Sequence, residues 1–153
     1  MVTLSKKVCL LGDFAVGKTS LVRRFVYDLF DDKYVSTIGV KVSRKTVILT
    51  RDDDIVDLTL MLWDLAGGEK FARMRASYLR GAAGALMVYD VSRPETLSSL
   101  HQYLRDLQSI NGRCAVVLAA NKADLLSSST PGERATYEAE ARSVAREIEA
   151  PLY

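Results

Sequence analysis

Gly12-Asp13-Phe14-Ala15-Val16-Gly17-Lys18-Thr19 fits G-x-x-x-x-G-K-[ST] and lies between an apolar run, Val8 to Leu11, and an amphipathic run, Ser20 to Val26. A strand, a glycine loop and a helix in that order make a phosphate-binding loop. Only a chain free of Cβ atoms at Gly12 and Gly17 can wrap its N–H groups around polyphosphate oxygens. The helix that follows presents its positive end to the same anion, so Ala15, Val16, Gly17, Lys18, Thr19 and Ser20 are expected around it. Lys18 is long enough to reach the β and γ phosphates, and the Thr19 hydroxyl is placed to coordinate Mg²⁺. The motif specifies a nucleotide without saying which.

Working outward, Lys7 to Leu11 is a continuous apolar run, as in a strand buried on both faces of a parallel sheet. Leu21, Val22, Phe25 and Val26 recur at helical spacing, with Arg23, Arg24 and Asp28 on the other face. Asp28 to Gly39, with its tandem Asp31-Asp32, reads as a loop that orders on demand. Val40 to Thr50 and Val56 to Trp63 alternate as two hairpin strands, joined at Arg51-Asp52-Asp53-Asp54, a solvated turn tip rather than a cation site.

The pair Gly67-Gly68 lets the chain approach something closely, Ala72 to Leu79 is a short helix, and Ala82 to Val91 is a further buried strand. Ser92-Arg93-Pro94-Glu95 reads as a capping box with Ser92 as N-cap, opening a helix whose stripe is Leu97, Leu100, Leu104 and Leu107. His101 falls off that stripe and reads as a surface residue. Cys114 to Ala120 is the next strand, with Asn121-Lys122-Ala123-Asp124 at its end; Thr130-Pro131-Gly132-Glu133 caps a last helix with Tyr137, Ala141, Val144, Ala145 and Ile148 on its apolar stripe. Strands alternating with helices after a hairpin give an α/β fold, a mostly parallel sheet with helices on both faces. Ligands bind outside the carboxyl ends of such strands, at the loops after Leu11, Leu62 and Ala120.

The 153 residues are 48% hydrophobic and 26% charged, enough for one domain over residues 1–153 and too few for two. A net charge of +2 gives no broad basic face, so nucleic acid is not an expected partner. Cys9 and Cys114 sit in apolar runs without metal-ligand spacing and read as buried, reduced thiols, which favours a cytoplasmic location. The N-terminus lacks a signal-peptide core, no stretch reaches membrane-spanning length, and Ala150-Pro151-Leu152-Tyr153 carries no prenylation cysteine, so no membrane anchor is expected in this chain.

Four motifs in one order resemble the Ras superfamily of small GTPases, and Ser36-Thr37-Ile38-Gly39-Val40, Trp63-Asp64-Leu65-Ala66-Gly67 and Ser77-Tyr78-Leu79-Arg80-Gly81-Ala82 resemble its Rab branch. The resemblance implies a Ras-like G domain, a P-loop NTPase that binds GTP or GDP with Mg²⁺. Asn121-Lys122-Ala123-Asp124 matches the guanine motif N-K-x-D, in which a carboxylate pairs with the N1–H and amine of guanine; adenine would leave a buried carboxylate unpaired, at about 1 to 3 kcal/mol or more. The resemblance further implies that Thr37 of switch I binds Mg²⁺ and the γ-phosphate only in the triphosphate state, that Asp64 holds Mg²⁺ through water, and that the Gly67 N–H of switch II reaches the γ-phosphate. Hydrolysis then releases both loops, by positioning and charge stabilisation at Lys18, Thr37, Gly67 and Gly68. Exchange factors, GTPase-activating proteins and effectors are the partners it implies.

Three departures bear on the expectation. Gly68 stands where the family has a water-orienting glutamine, and Phe14 stands where it favours a small residue, so slow intrinsic turnover is expected. The sequence stops at Tyr153, before the family's last strand and helix, a shortened C-terminus that leaves Leu118 to Ala120 as a sheet edge. The competing readings are a non-hydrolysing nucleotide-binding module acting as a scaffold, supported by Gly68, and an adenine-nucleotide kinase, disfavoured by Asp124.

Overall fold

A computed structural model describes residues 2–30, 36–51 and 54–153. The tandem Asp31-Asp32 and the middle of the Arg51–Asp54 turn lie outside the described residues. Strands β1 (Val2–Leu11), β2 (Val40–Arg51), β3 (Asp54–Leu65), β4 (Gly84–Asp90) and β5 (Ala115–Asn121) form one sheet in the order β2-β3-β1-β4-β5. The β2–β3 pair is antiparallel and the rest are parallel. Helices are α1 (Lys18–Tyr27), α2 (Ala72–Tyr78), α3 (Pro94–Ser98), α4 (Leu100–Ile110) and α5 (Pro131–Glu147), with 3-10 turns at Glu69–Phe71 and Ala123–Ser128.

The two-residue period of a strand distributes β1 between two cores. Cys9 and Leu11 pack with Met87, Leu100, Leu107 and Leu118 on the face that carries α3, α4 and α5. Leu10 packs with Val22 of α1 and Leu62 on the other. Parallel pairing carries β1, β4 and β5 to a common end, where Leu11 is level with Met87 and Asp90 with Asn121. The loops after those strands therefore share one rim. Trp63, whose register partner on β1 is Cys9, is half-buried, with the Lys7 ammonium 3.9 Å from its ring and Tyr78 tilted against it at 5.6 Å.

Several boundaries differ from the sequence reading. The first strand starts at Val2, five residues before the apolar run, because register with β3 holds its polar start. The Thr130 capping box is present on both sides, whereas Ser92 is not an N-cap. Its N–H and hydroxyl both donate to Asp90 Oδ1, at 2.9 and 2.6 Å, and Arg93 occupies the cap position with no side-chain bond to the helix end. An ionised carboxylate two residues upstream outcompetes the helix end for that serine. The Leu118–Ala120 edge is not bare: Leu118 N–H donates to Pro151 O, Tyr153 N–H to Leu118 O and Ala120 N–H to Tyr153 O, at 2.8 to 3.0 Å, and Leu152 bridges Leu118 in parallel. Cys9 is buried and Cys114 half-buried, both free; burial pushes the Cys9 thiol up to about 11, which leaves it inert near neutral pH. No described helix is long and apolar enough to cross a membrane.

Candidate functional site

The N-cap of helix α1 is Gly17, in a left-handed conformation and with no side-chain acceptor over the first helical N–H groups, which leaves them for an external anion. Ala15 is also left-handed, at φ 61°, so the loop curls upon itself. Its outer carbonyls are tied to the rest of the domain: Asn121 Nδ2 donates to Val16 O at 2.8 Å, Lys122 Nζ to Ala15 O at 2.8 Å and Arg93 Nη2 to Phe14 O at 2.8 Å. Lys122 and Arg93 are in turn paired with the buried Asp90, at 2.8 and 3.2 Å. Burial alone would raise the Asp90 carboxyl, but bonds from Lys122, Ser92 and Arg93 outweigh it and bring the group to about 2.

Lys18 lies under the loop, with Nζ donating to Gly12 O and Asp13 O at 2.9 Å each. Burial lowers its ammonium from 10.5 to about 8, against the pull of Asp64 and Asp13. Beside it three oxygens converge. Thr19 Oγ1 is 2.8 Å from Thr37 Oγ1 and donates to Asp64 Oδ2, which also lies 3.5 Å from Thr37 Oγ1. Burial raises the Asp64 carboxyl, with the Thr19 bond and Lys18 pulling it back. Its second oxygen, Oδ1, is buried without a partner. An orphaned carboxylate oxygen beside two hydroxyls is a hard-oxygen set that fits Mg²⁺, which keeps waters and takes its other ligands from phosphates. Among the described residues no group of three or more His, Cys, Asp and Glu side chains could hold a metal ion.

A cleft of about 510 Å³ runs along this rim, bordered by Phe14, Ala15, Gly17, Lys18, Thr19, Ser20, Thr37, Gly67, Asn121, Lys122 and Asp124. Gly12, Val16, Asp64 and Gly68 are not part of that lining. A Cβ on Gly67 would sit 2.5 Å from Asp13 C and Phe14 N, so this stretch packs directly on the phosphate loop. Gly68 has φ 85° and ψ 161°, with open space around its missing Cβ. Asp124, read from sequence as a buried carboxylate, is exposed and lines the cleft. Phe14 is half exposed and borders the cleft. Phe30 and Leu125, which the motifs do not single out, also line it and offer apolar surface beside Asn121 and Asp124. A second cleft, about 650 Å³ between α5 and the turn at Ala123–Ser128, shares only Asp124 with the first and holds none of the loop.

A family model described as the Ras family matches residues 7–153. The chain belongs to the Ras family. Within it, the Rab type is supported by relatives. Ras-related protein Rab-22A of Mus musculus is 42% identical over 120 residues, which is 78% of this chain and 60% of that protein. GTP-binding protein ypt5 of Schizosaccharomyces pombe is 39% identical over 140 residues, 91% of this chain and 65% of its own length. This Ras-family chain thus spans about three-fifths of the length of the curated relatives it matches. The five-stranded mixed sheet agrees with a Ras-like P-loop domain.

Proposed function

We propose that the chain is a guanine-nucleotide switch that binds GTP or GDP with Mg²⁺ and hydrolyses GTP slowly, through switch I at Thr37 and switch II at Gly67. The observation that carries the reading is that residues of four separated stretches border one cleft: Phe14, Ala15 and Gly17 to Ser20; Thr37; Gly67; and Asn121, Lys122 and Asp124. The family supports a GTP-binding protein, and the name of the ypt5 relative says as much of that protein.

The roles follow from where each group stands. Lys18, buried and held at two loop carbonyls, would transfer its charge to the β and γ phosphates. Thr19 and Thr37 would hold Mg²⁺ through their hydroxyls and Asp64 through water; when bound, the ion supplies positive charge against the phosphate oxygens. Gly67, pressed on the loop, would offer its N–H to the γ-phosphate. Asp124 would read guanine at the mouth of the cleft, with Asn121 and Lys122 bracing the loop behind it. Slow turnover rests on Gly68, which has no side chain to orient water, and on the Phe14 ring at the cleft. Exchange factors, GTPase-activating proteins and effectors would engage the exposed switch surface around Ile38, which is 83% exposed.

Two measurements test this. Chromatography of the nucleotide released on denaturing the purified protein should give GDP or GTP; an adenine nucleotide would sink the guanine assignment. Single-turnover phosphate release should proceed above the buffer background. Its absence, with and without candidate activating proteins, would leave the second reading, a non-hydrolysing nucleotide-binding module, which Gly68 favours.

A further inference from the structure

The Ala66–Gly68 backbone is bonded on both sides by groups that have no part in holding a nucleotide. Arg75 of α2 donates from Nη1 to Ala66 O at 3.0 Å and to Gly68 O. The Gly68 N–H donates to the Tyr103 hydroxyl at 3.0 Å, and that hydroxyl donates to Asp13 Oδ1 of the phosphate loop at 3.0 Å. Burial pushes the Tyr103 phenol up to about 12, which keeps its proton in place for that second bond.

Arg75 and Tyr103 are 6% and 5% exposed. A buried guanidinium is costly unless its donors are met. Among the described residues no carboxylate pairs with Arg75; backbone carbonyls and the face of Tyr103, 4.7 Å from the guanidinium carbon, take its charge instead. Tyr103 belongs to the main core and is a fixed post rather than a mobile one. Gly67 between the two bonded residues has the loop backbone against it.

The glycine at position 68 acquires a reason from this arrangement. Its N–H reaches Tyr103 and its C=O reaches Arg75 at a φ of 85° with ψ 161°, a conformation that a residue with a Cβ resists. A Cβ there would meet nothing within 4 Å, yet a residue carrying one would strain the backbone that makes the two bonds.

We propose that Arg75, acting with Tyr103 and Asp13, is a positioning residue that holds the Ala66–Gly68 backbone in its triphosphate-receiving place whichever nucleotide is bound. The proposal rests on the guanine-nucleotide reading above. Loss of the third phosphate removes one contact from Gly67 and leaves the bonds to its neighbours, so this half of the switch stays ordered after hydrolysis.

The test measures hydrogen exchange at amides 66–71 and the affinity for fluorescent GDP and for a non-hydrolysable fluorescent GTP analogue. It uses the whole chain as the parent and as Tyr103→Phe, which keeps the buried ring, with Arg75→Lys as a second variant that keeps the charge. The parent should exchange at the same rate, within about twofold, in both complexes. In Tyr103→Phe, exchange should rise about tenfold in the diphosphate complex alone, the worth of one net hydrogen bond, and triphosphate affinity should fall while diphosphate affinity holds. A parent whose exchange already differs tenfold between nucleotides, or variants that weaken both complexes equally, would overturn the clamp. A parent that binds neither nucleotide overturns the guanine reading itself and the pre-set with it.

Discussion

The two stretches at the phosphate end of the cleft are held by different kinds of bond. Thr37 touches Thr19 and Asp64 through side-chain oxygens, and its neighbour Ile38 stands 83% exposed. Gly67 lies between residues bonded to the buried Arg75 and Tyr103. The oxygens around Thr37 are the ones that a cation and a phosphate would take over, so order there depends on the ligand. The bonds around Gly67 are made within the protein, by Arg75 and Tyr103 to the backbone on either side of it. On the proposed function, then, the third phosphate is read chiefly at Thr37.

Substitutions can break that contrast. The largest effect is expected from Gly67→Ala, whose Cβ would press on loop backbone at 2.5 Å that no rotamer change can relieve. Overpacking of about 1 to 3 kcal/mol should lower triphosphate affinity by up to about 100-fold, read by nucleotide competition. A fall of less than threefold would mean that the loop yields and that switch II is not seated on it.

Asp90→Asn is expected to come next and to act on stability rather than on discrimination. A carboxyl held at about 2 in the fold, against 3.8 when free, adds stability above pH 4 that is lost as pH falls through 2. That is worth about 2 kcal/mol. Melting temperature measured from pH 5 to pH 2 should fall steeply for the parent and less for the variant, and parallel curves would refute the assigned cause. The ratio of triphosphate to diphosphate affinity should not move.

Thr37→Ala should cost about tenfold in triphosphate affinity and under twofold in diphosphate affinity, the loss of one hydroxyl contact. Equal losses in titrations with both nucleotides would contradict its place in switch I. Gly68→Gln is expected to change least. The added Cβ has open space, but strain of about 1 to 3 kcal/mol at φ 85° opposes the geometry in which a glutamine could orient water. Single-turnover hydrolysis should rise by less than about tenfold, a gain of at most about 1.4 kcal/mol. A larger rise would mean that the backbone at 68 relaxes freely and that Arg75 does not hold it.

Much of this site is legible in the chain because a phosphate loop is local: its turn, its glycines and the helix behind it occupy consecutive residues from 12 to 20. The Thr130 box is local in the same way and is present as read. What the sequence hides is set by distance or by competition. Tyr103 meets Gly68 and Asp13 from 35 and 90 residues away, and nothing in the spacing of α4 separates it from the apolar stripe around it. Arg75 reads as an ordinary charge on a short helix until burial is known. Ser92 misleads because the pattern of a cap is present while Asp90 takes the donors first. Pro151 to Tyr153 is too short for any period to show, so its pairing with β5 emerges only from the backbone bonds.

Trp63 is the one tryptophan in the chain, and it stands next to Asp64 with an ammonium over its ring. Its indole N–H is buried without a partner. Excited at the red edge, where the seven tyrosines do not absorb, intrinsic emission therefore comes from one indole, placed on the strand that leads into the cleft. A shift in its wavelength or lifetime on adding ligand would report that strand directly, without a dye and without a second indole to subtract.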